Sequence, residues 1–136
     1  MSPTAIADTG FIVGLLNRRD TYHDWATGHV GRFSVLHTCE AVITEACFLM
    51  HERTGSAELV IGMLSTGGLV ASYSVQGDEA RIEALMAKYA DVPMSFADAC
   101  LVRMSERHPE REIVTADGDF RVYRRSGSDM IPAILP

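Results

Sequence analysis

Short apolar runs alternate with longer segments of helical periodicity along the whole chain, and this alternation constrains the fold more than any other feature. Thr4–Ala7 reads as an extended run. Residues 9–17 read as a helix, with Phe11, Leu15 and Leu16 on neighbouring turns, and 23–29 as a second helix. A strand is expected over 33–38. Residues 40–53 carry a long helical pattern closed by Gly55. A helix over 56–64, a break at Gly67-Gly68 and a strand over 69–74 follow. The segment 78–89 is amphipathic, with Ile82, Leu85, Met86 and Tyr89 on one face. The rest reads as a helix over 95–107, a strand over 112–115, a short helix or turn over 120–124 and a final short strand over 130–135. Strands separated by helices pair in parallel, because each return to the sheet needs a crossover. The expectation is an α/β fold: one doubly wound, Rossmann-like domain over 1–136, with four or five parallel strands and helices on both faces.

In such a sheet ligands bind at the carboxyl ends of the strands, so acids placed just after strands are the residues to inspect. Asp8 follows the first strand and Asp117 the one over 112–115. Each also has a plain structural use. Asp8 can cap the next helix, and Asp117-Gly118-Asp119 can form a turn. Glu45 lies mid-helix with Val42 and Leu49 at i−3 and i+4, which puts it on an apolar face. Burying an unpaired carboxylate costs several kcal/mol, so Glu45 needs a cation there unless it reaches water at the rim. Asp98 sits among Met94, Leu101 and Val102, and Ser95-x-x-Asp98 also fits a capping box. The two uses of Asp98 are compatible.

Taken together, the four acids can meet at one sheet edge. Converging carboxylates repel, and protons or cations must relieve that repulsion. All-oxygen donors select Mg²⁺ or Mn²⁺ over zinc, and the chain has neither C-x-x-C nor H-E-x-x-H. Such ions suit phosphoryl transfer to water. No Gly-x-Ser-x-Gly elbow and no P-loop is present. A haloacid-dehalogenase-like phosphatase needs an acid two residues after the first, where this chain has Gly10. A phosphoacceptor receiver domain needs adjacent acids and a late lysine. Here Thr9 follows Asp8, and the only lysine is Lys88.

A net charge of −6 is unusual for a protein that binds polyphosphate. Asp8, Glu45, Asp98, Asp117 and Asp119 supply five of those charges, and bound divalent ions would offset them. Eleven of the twelve basic side chains are arginines, whose planar forks bind phosphate in bidentate fashion. Arg18, Arg19, Arg103, Arg107, Arg111, Arg121, Arg124 and Arg125 are close enough in sequence to form patches. The five histidines have no ligand-like spacing, and His23 reads as a surface residue. Trp25 with Tyr22 reads as helix packing rather than a stacking platform for bases. Cys39, Cys47 and Cys100 form no C-x-x-C pair, which fits free thiols in a reducing cytoplasm. No signal peptide and no membrane span is legible.

Four segments resemble the PIN-domain ribonucleases, and within them the VapC-type toxins of type II toxin–antitoxin pairs. They are Ala5-Ile6-Ala7-Asp8-Thr9, Thr44-Glu45-Ala46, Phe96-Ala97-Asp98-Ala99 and Thr115-Ala116-Asp117-Gly118-Asp119-Phe120. Each is short, but their order and spacing run over nearly the whole chain. The resemblance implies a Mg²⁺-dependent endoribonuclease, with Mn²⁺ as a substitute, in which water attacks an RNA phosphodiester. It implies that Asp8, Glu45, Asp98 and Asp117 hold metal, that Asp119 is an auxiliary acid, and that Thr9 and Thr115 orient the ligand carboxylates. It also implies a cognate antitoxin that blocks the site, and a homodimer. A housekeeping RNA-processing nuclease, or a non-cleaving RNA- or protein-binding domain of the same fold, is the alternative. The complete acid set favours cleavage over the latter.

Overall fold

The computed structural model describes residues 3–136. In chain order these form β1 (Thr4–Ala7), α1 (Thr9–Leu16), α2 (His23–Val30), β2 (Val35–Cys39), α3 (Glu40–Thr54), α4 (Glu58–Ser65), β3 (Leu69–Tyr73), α5 (Glu79–Lys88) and α6 (Phe96–Arg107). They continue with β4 (Glu112–Val114), a 3₁₀ turn (Gly118–Arg121), β5 (Arg124–Arg125), β6 (Asp129–Met130) and β7 (Ala133–Ile134). Five strands make one sheet in the order β3-β2-β1-β4-β7, and every pairing in it is parallel. The doubly wound α/β expectation is met, with five strands.

The strand order positions the site. From β1 the chain steps outward through β2 to β3, then returns to the other side of β1 for β4 and β7. The order therefore reverses between β1 and β4, which opens a crevice at their carboxyl ends. Ala7 pairs with Val114, and the Asp8 N–H donates to the Val114 carbonyl at 3.0 Å. The residues after β1 and after β4 thus start side by side.

Burial explains why these strands are near-continuous apolar runs. Ala5, Ile6, Ala7, Ile113 and Val114 are fully buried, as central parallel strands covered on both faces must be. The edge strand β3 is mostly exposed. Helix α3 turns Val42, Ile43, Ala46 and Met50 to the core and ends at Gly55, whose φ of 75° is the left-handed cap conformation. Gly10 serves a different purpose. A Cβ there would lie 3.0 Å from the Ala116 Cβ, so the first turn of α1 lies against the segment after β4 with little room for a side chain.

Several local expectations are corrected. The antiparallel ribbon β5–β6 was not anticipated, because two-residue strands carry no readable periodicity. Its turn uses positive φ at Ser126 and Gly127. The last strand shrinks to Ala133–Ile134. On α5, Ile82 and Leu85 are buried and Tyr89 caps the helix inside the core, but Met86 is turned outward. His23 is half-buried rather than solvated, and its Nδ1 donates to the Gly14 carbonyl at 2.7 Å. Trp25 packs edge-to-face on Phe11 at 5.6 Å, as expected of a packing residue.

The arginine patches are reduced by ion pairing. Arg103 and Arg107 both grip Asp78, at 3.1 and 2.7 Å, and Tyr73 donates its hydroxyl to the same carboxylate at 2.8 Å. These donors hold the buried Asp78 carboxyl far below the usual carboxylate range, the Arg107 hydrogen bond being the largest cause. Arg125 is spent on the Ser105 and Pro109 carbonyls. These side chains pin α5, α6 and the C-terminal ribbon together and are not free phosphate forks.

Two stability outcomes follow. Gly10→Ala should be near neutral by chemical denaturation, because the gain in helix propensity of about 1 kcal/mol offsets the tight contact. Gly10→Val should cost about 1–3 kcal/mol through overpacking against Ala116. Asp78→Ala should cost about 1–3 kcal/mol, since it removes the buried acceptor that Arg103, Arg107 and Tyr73 share. The wild-type contribution of Asp78 is present above the ordinary carboxylate pKa of about 4 and is lost as pH falls below it. An acid-unfolding profile of wild type against the variant checks that sign.

Candidate active site

Asp8 is the buried centre of the crevice. It ends β1 and caps α1, accepting the Thr9 N–H on Oδ1 at 2.7 Å. On Oδ2 it accepts the Thr115 hydroxyl at 2.6 Å. The residue that caps α1 therefore also lines the crevice. Thr9 turns its hydroxyl to the Glu45 Oε2 at 3.1 Å, so one helix start orients two acids. On the other side, the Thr115 Oγ accepts the Asp117 N–H at 2.9 Å. Asp117 in turn accepts the Asp119 N–H at 2.9 Å and caps the 3₁₀ turn.

Asp98 arrives from the start of α6. The capping box is present in full: the Ser95 Oγ accepts the Asp98 N–H at 3.0 Å, and Asp98 Oδ2 accepts the Ser95 N–H at 3.1 Å. The buried Tyr123 adds a longer hydroxyl contact of 3.3 Å to the same Oδ2. Burial and the charges of Asp98, Asp119 and Asp117 push the Tyr123 phenol up, so it stays a proton donor. The sequence did not single out Tyr123. Its only sequence signal is an aromatic placed three residues after Phe120, against which its ring packs at 5.2 Å.

Asp8, Glu45, Asp98 and Asp117 all line one cavity of about 540 Å³. Their charges register with one another. Burial pushes Asp8 up to about 6, and repulsion from Asp98 and Glu45 adds to it against the Thr115 and Thr9 hydrogen bonds. Asp98 is also raised, first by burial and then by Asp117. The acids face one cavity without packing into a closed cage: among the described residues, no three His, Cys, Asp or Glu side chains are grouped tightly enough to hold an ion as they stand.

One expected placement is corrected. Glu45 is exposed rather than set in the apolar face of its helix. The core takes the Val42, Ile43, Ala46 and Met50 stripe, and the neighbouring stripe of Glu45, Leu49 and Arg53 faces the cavity instead. Asp119 does not line the cavity. It serves through its backbone N–H to Asp117 and its charge beside Tyr123. The cavity also holds residues that sequence reasoning passed over, namely Asp20, Thr21, Tyr22 and Arg53. For Arg53 a signal existed, because Glu45, Leu49 and Arg53 are spaced i, i+4, i+8 along one helix.

Asp8 sets a pH dependence in metal-free protein. Its neutral form is favoured by the fold, so that stability is fully present below about pH 4. It is lost as pH rises through about 6, a change of about 3 kcal/mol. With EDTA present, the melting temperature of the wild type should fall across that window. Asp8→Asn should lack this component. A wild-type curve parallel to that of Asp8→Asn would show that Asp8 ionises freely.

Comparison with known proteins agrees with the fold. The PIN domain family model matches residues 5–126. Among solved structures, the fold is similar to the crystal structure of VapC20 from Mycobacterium tuberculosis, a toxin that cleaves the sarcin–ricin loop. The TM-score is 0.79 at 19% identity, covering 95% of this chain and 98% of that one. The comparison with curated proteins gave no match.

Proposed function

The chain belongs to the PIN-domain family, and from that membership we propose that it is a metal-dependent endoribonuclease, acting as the toxin of a type II toxin–antitoxin pair. The whole of 1–136 would act as one nuclease domain in the cytoplasm. The observation that carries this reading is the buried Asp8 carboxylate, which shares its cavity with Glu45, Asp98 and Asp117 and is raised by the charges of two of them.

The residues present fit a hard divalent cation. All four charged donors are carboxylate oxygens, and the cost of holding them ionised together is relieved by positive charge. Asp8, Glu45, Asp98 and Asp117 would hold Mg²⁺, with Mn²⁺ as a substitute. When bound, such an ion supplies charge neutralisation at the phosphate and a lower pKa for the attacking water. The protein's own groups orient the acids: Thr115 holds Asp8, Thr9 holds Glu45, and Ser95 with Tyr123 holds Asp98. The Thr9 and Thr115 hydroxyls are already donated to carboxylates, so neither is poised as a nucleophile. In this reading water is the attacking group, as in the family the chain resembles, forming the new P–O bond as the bond to the leaving ribose oxygen breaks.

The toxin role is supported by the fold shared with VapC20. An antitoxin or a second copy of the chain finds apolar surface on α3 and α4, which expose Phe48, Leu59 and Ile61. No helix among the described residues is long and apolar enough to cross a membrane.

Incubation with total RNA and Mg²⁺, followed by mapping of new 5′ ends, tests the activity. Cleavage should stop with EDTA and drop by about 100-fold or more in Asp8→Asn or Asp98→Asn with the fold retained, the scale seen when a transition-state electrostatic group is removed. Mg²⁺ or Mn²⁺ should raise the wild-type melting temperature, because a ligand of the native state stabilises it. Full activity in either folded variant overturns the reading.

A further inference from the structure

Among the described residues lining the acidic cavity, Arg53 is the one cation and Tyr22 the one aromatic side chain. They come from different elements, and a single acid ties the two residues together, Arg53 by its side chain and Tyr22 by its backbone. Asp20 Oδ1 accepts from Arg53 Nη1 at 3.2 Å, while Asp20 Oδ2 accepts the Tyr22 N–H at 2.9 Å. We propose that this Asp20 bracket builds an RNA-positioning subsite, in which Arg53 takes a backbone phosphate and Tyr22 stacks on a base next to the bond that is cut. The inference rests on the nuclease reading above and adds to it the residues that seat the strand.

The geometry separates this role from a structural one. The Arg53 side chain is 50% exposed against 10% for Asp20, and an ion pair so exposed adds little to stability. Among the described residues Nε and Nη2 of Arg53 have no partner, so its fork keeps donors for a phosphate. Arg53 stands two turns beyond Glu45 on the same face of α3, about 12 Å along the axis at the α-helical rise. A strand whose cleaved phosphate sits among the acids therefore passes the Arg53 guanidinium on its way out of the cavity. Tyr22 is 37% exposed and meets Trp25 edge-to-face at 6.1 Å. Trp25 supplies the packing that holds the ring, and Tyr22 is the member of the pair that reaches the cavity. A polyanion entering a pocket of like charge gains most from a fixed cation at the rim. Base stacking on an aromatic supplies affinity for any sequence.

The test measures binding of a short fluorescein-labelled single-stranded RNA of randomised sequence in Mg²⁺. An Asp98→Asn background keeps the probe intact. Binding is read as a function of salt, together with cleavage of total RNA on the otherwise wild-type background. Arg53→Ala should weaken binding across all sequences and reduce the salt slope by about 0.7, one phosphate contact on a single strand. Arg53→Lys should keep the slope. Tyr22→Ala should weaken binding about 5- to 150-fold without altering the slope, and Tyr22→Phe should bind as the parent does. Thermal melting confirms that each variant is folded. Parental affinity and slope in either alanine variant, with wild-type protein still cutting RNA, overturns the subsite and leaves the nuclease reading intact. Wild-type protein that neither binds nor cuts RNA overturns both.

Discussion

The Thr115 hydroxyl meets the Asp8 carboxylate at 2.6 Å across 107 residues of sequence, and the site depends on that contact. It joins the ends of β1 and β4 at the point where the strand order reverses. From there Thr9 extends the arrangement to Glu45 on α3, and the Thr115 oxygen extends it to Asp117. The close approach beneath it leaves little room at position 10, where a Cβ would lie 3.0 Å from that of Ala116. Backbone geometry therefore sets the acid spacing before any ion is considered.

The same acids are used twice. Asp8 and Asp117 each cap a helical element, Asp98 completes the capping box of α6, and all three also line the cavity. Helix starts offer free N–H donors that fix a carboxylate without spending a positively charged side chain on it. This leaves the negative field of the cavity largely uncompensated from within the protein, which is the condition for recruiting a cation. The buried Asp78 shows the contrasting arrangement. Two arginines neutralise it, and its role is to hold helices together.

The fold was largely legible because helices and strands of this length carry strong periodicity. β1 and the capping box of α6 were readable residue by residue. The ribbon β5–β6 was not, since two residues per strand hold no pattern. Reading Glu45 as buried failed for a related reason. Helical spacing shows that Val42, Glu45 and Leu49 share a side of α3, but not that this side borders a cavity rather than the core. The arginines misled in the same way, because sequence clustering of Arg103 and Arg107 does not reveal the acid they both grip.

What the sequence determined by itself was the order of elements, the parallel sheet and the identity of the acids that follow its strands, because these depend on local periodicity and on where a chain must turn. Only the tertiary structure decided which side of α3 faces the cavity, which arginines are already paired, and that Asp20 draws Tyr22 and Arg53 to its rim. Those outcomes depend on contacts between residues far apart in the chain, and neither spacing nor composition encodes the distance between two such side chains.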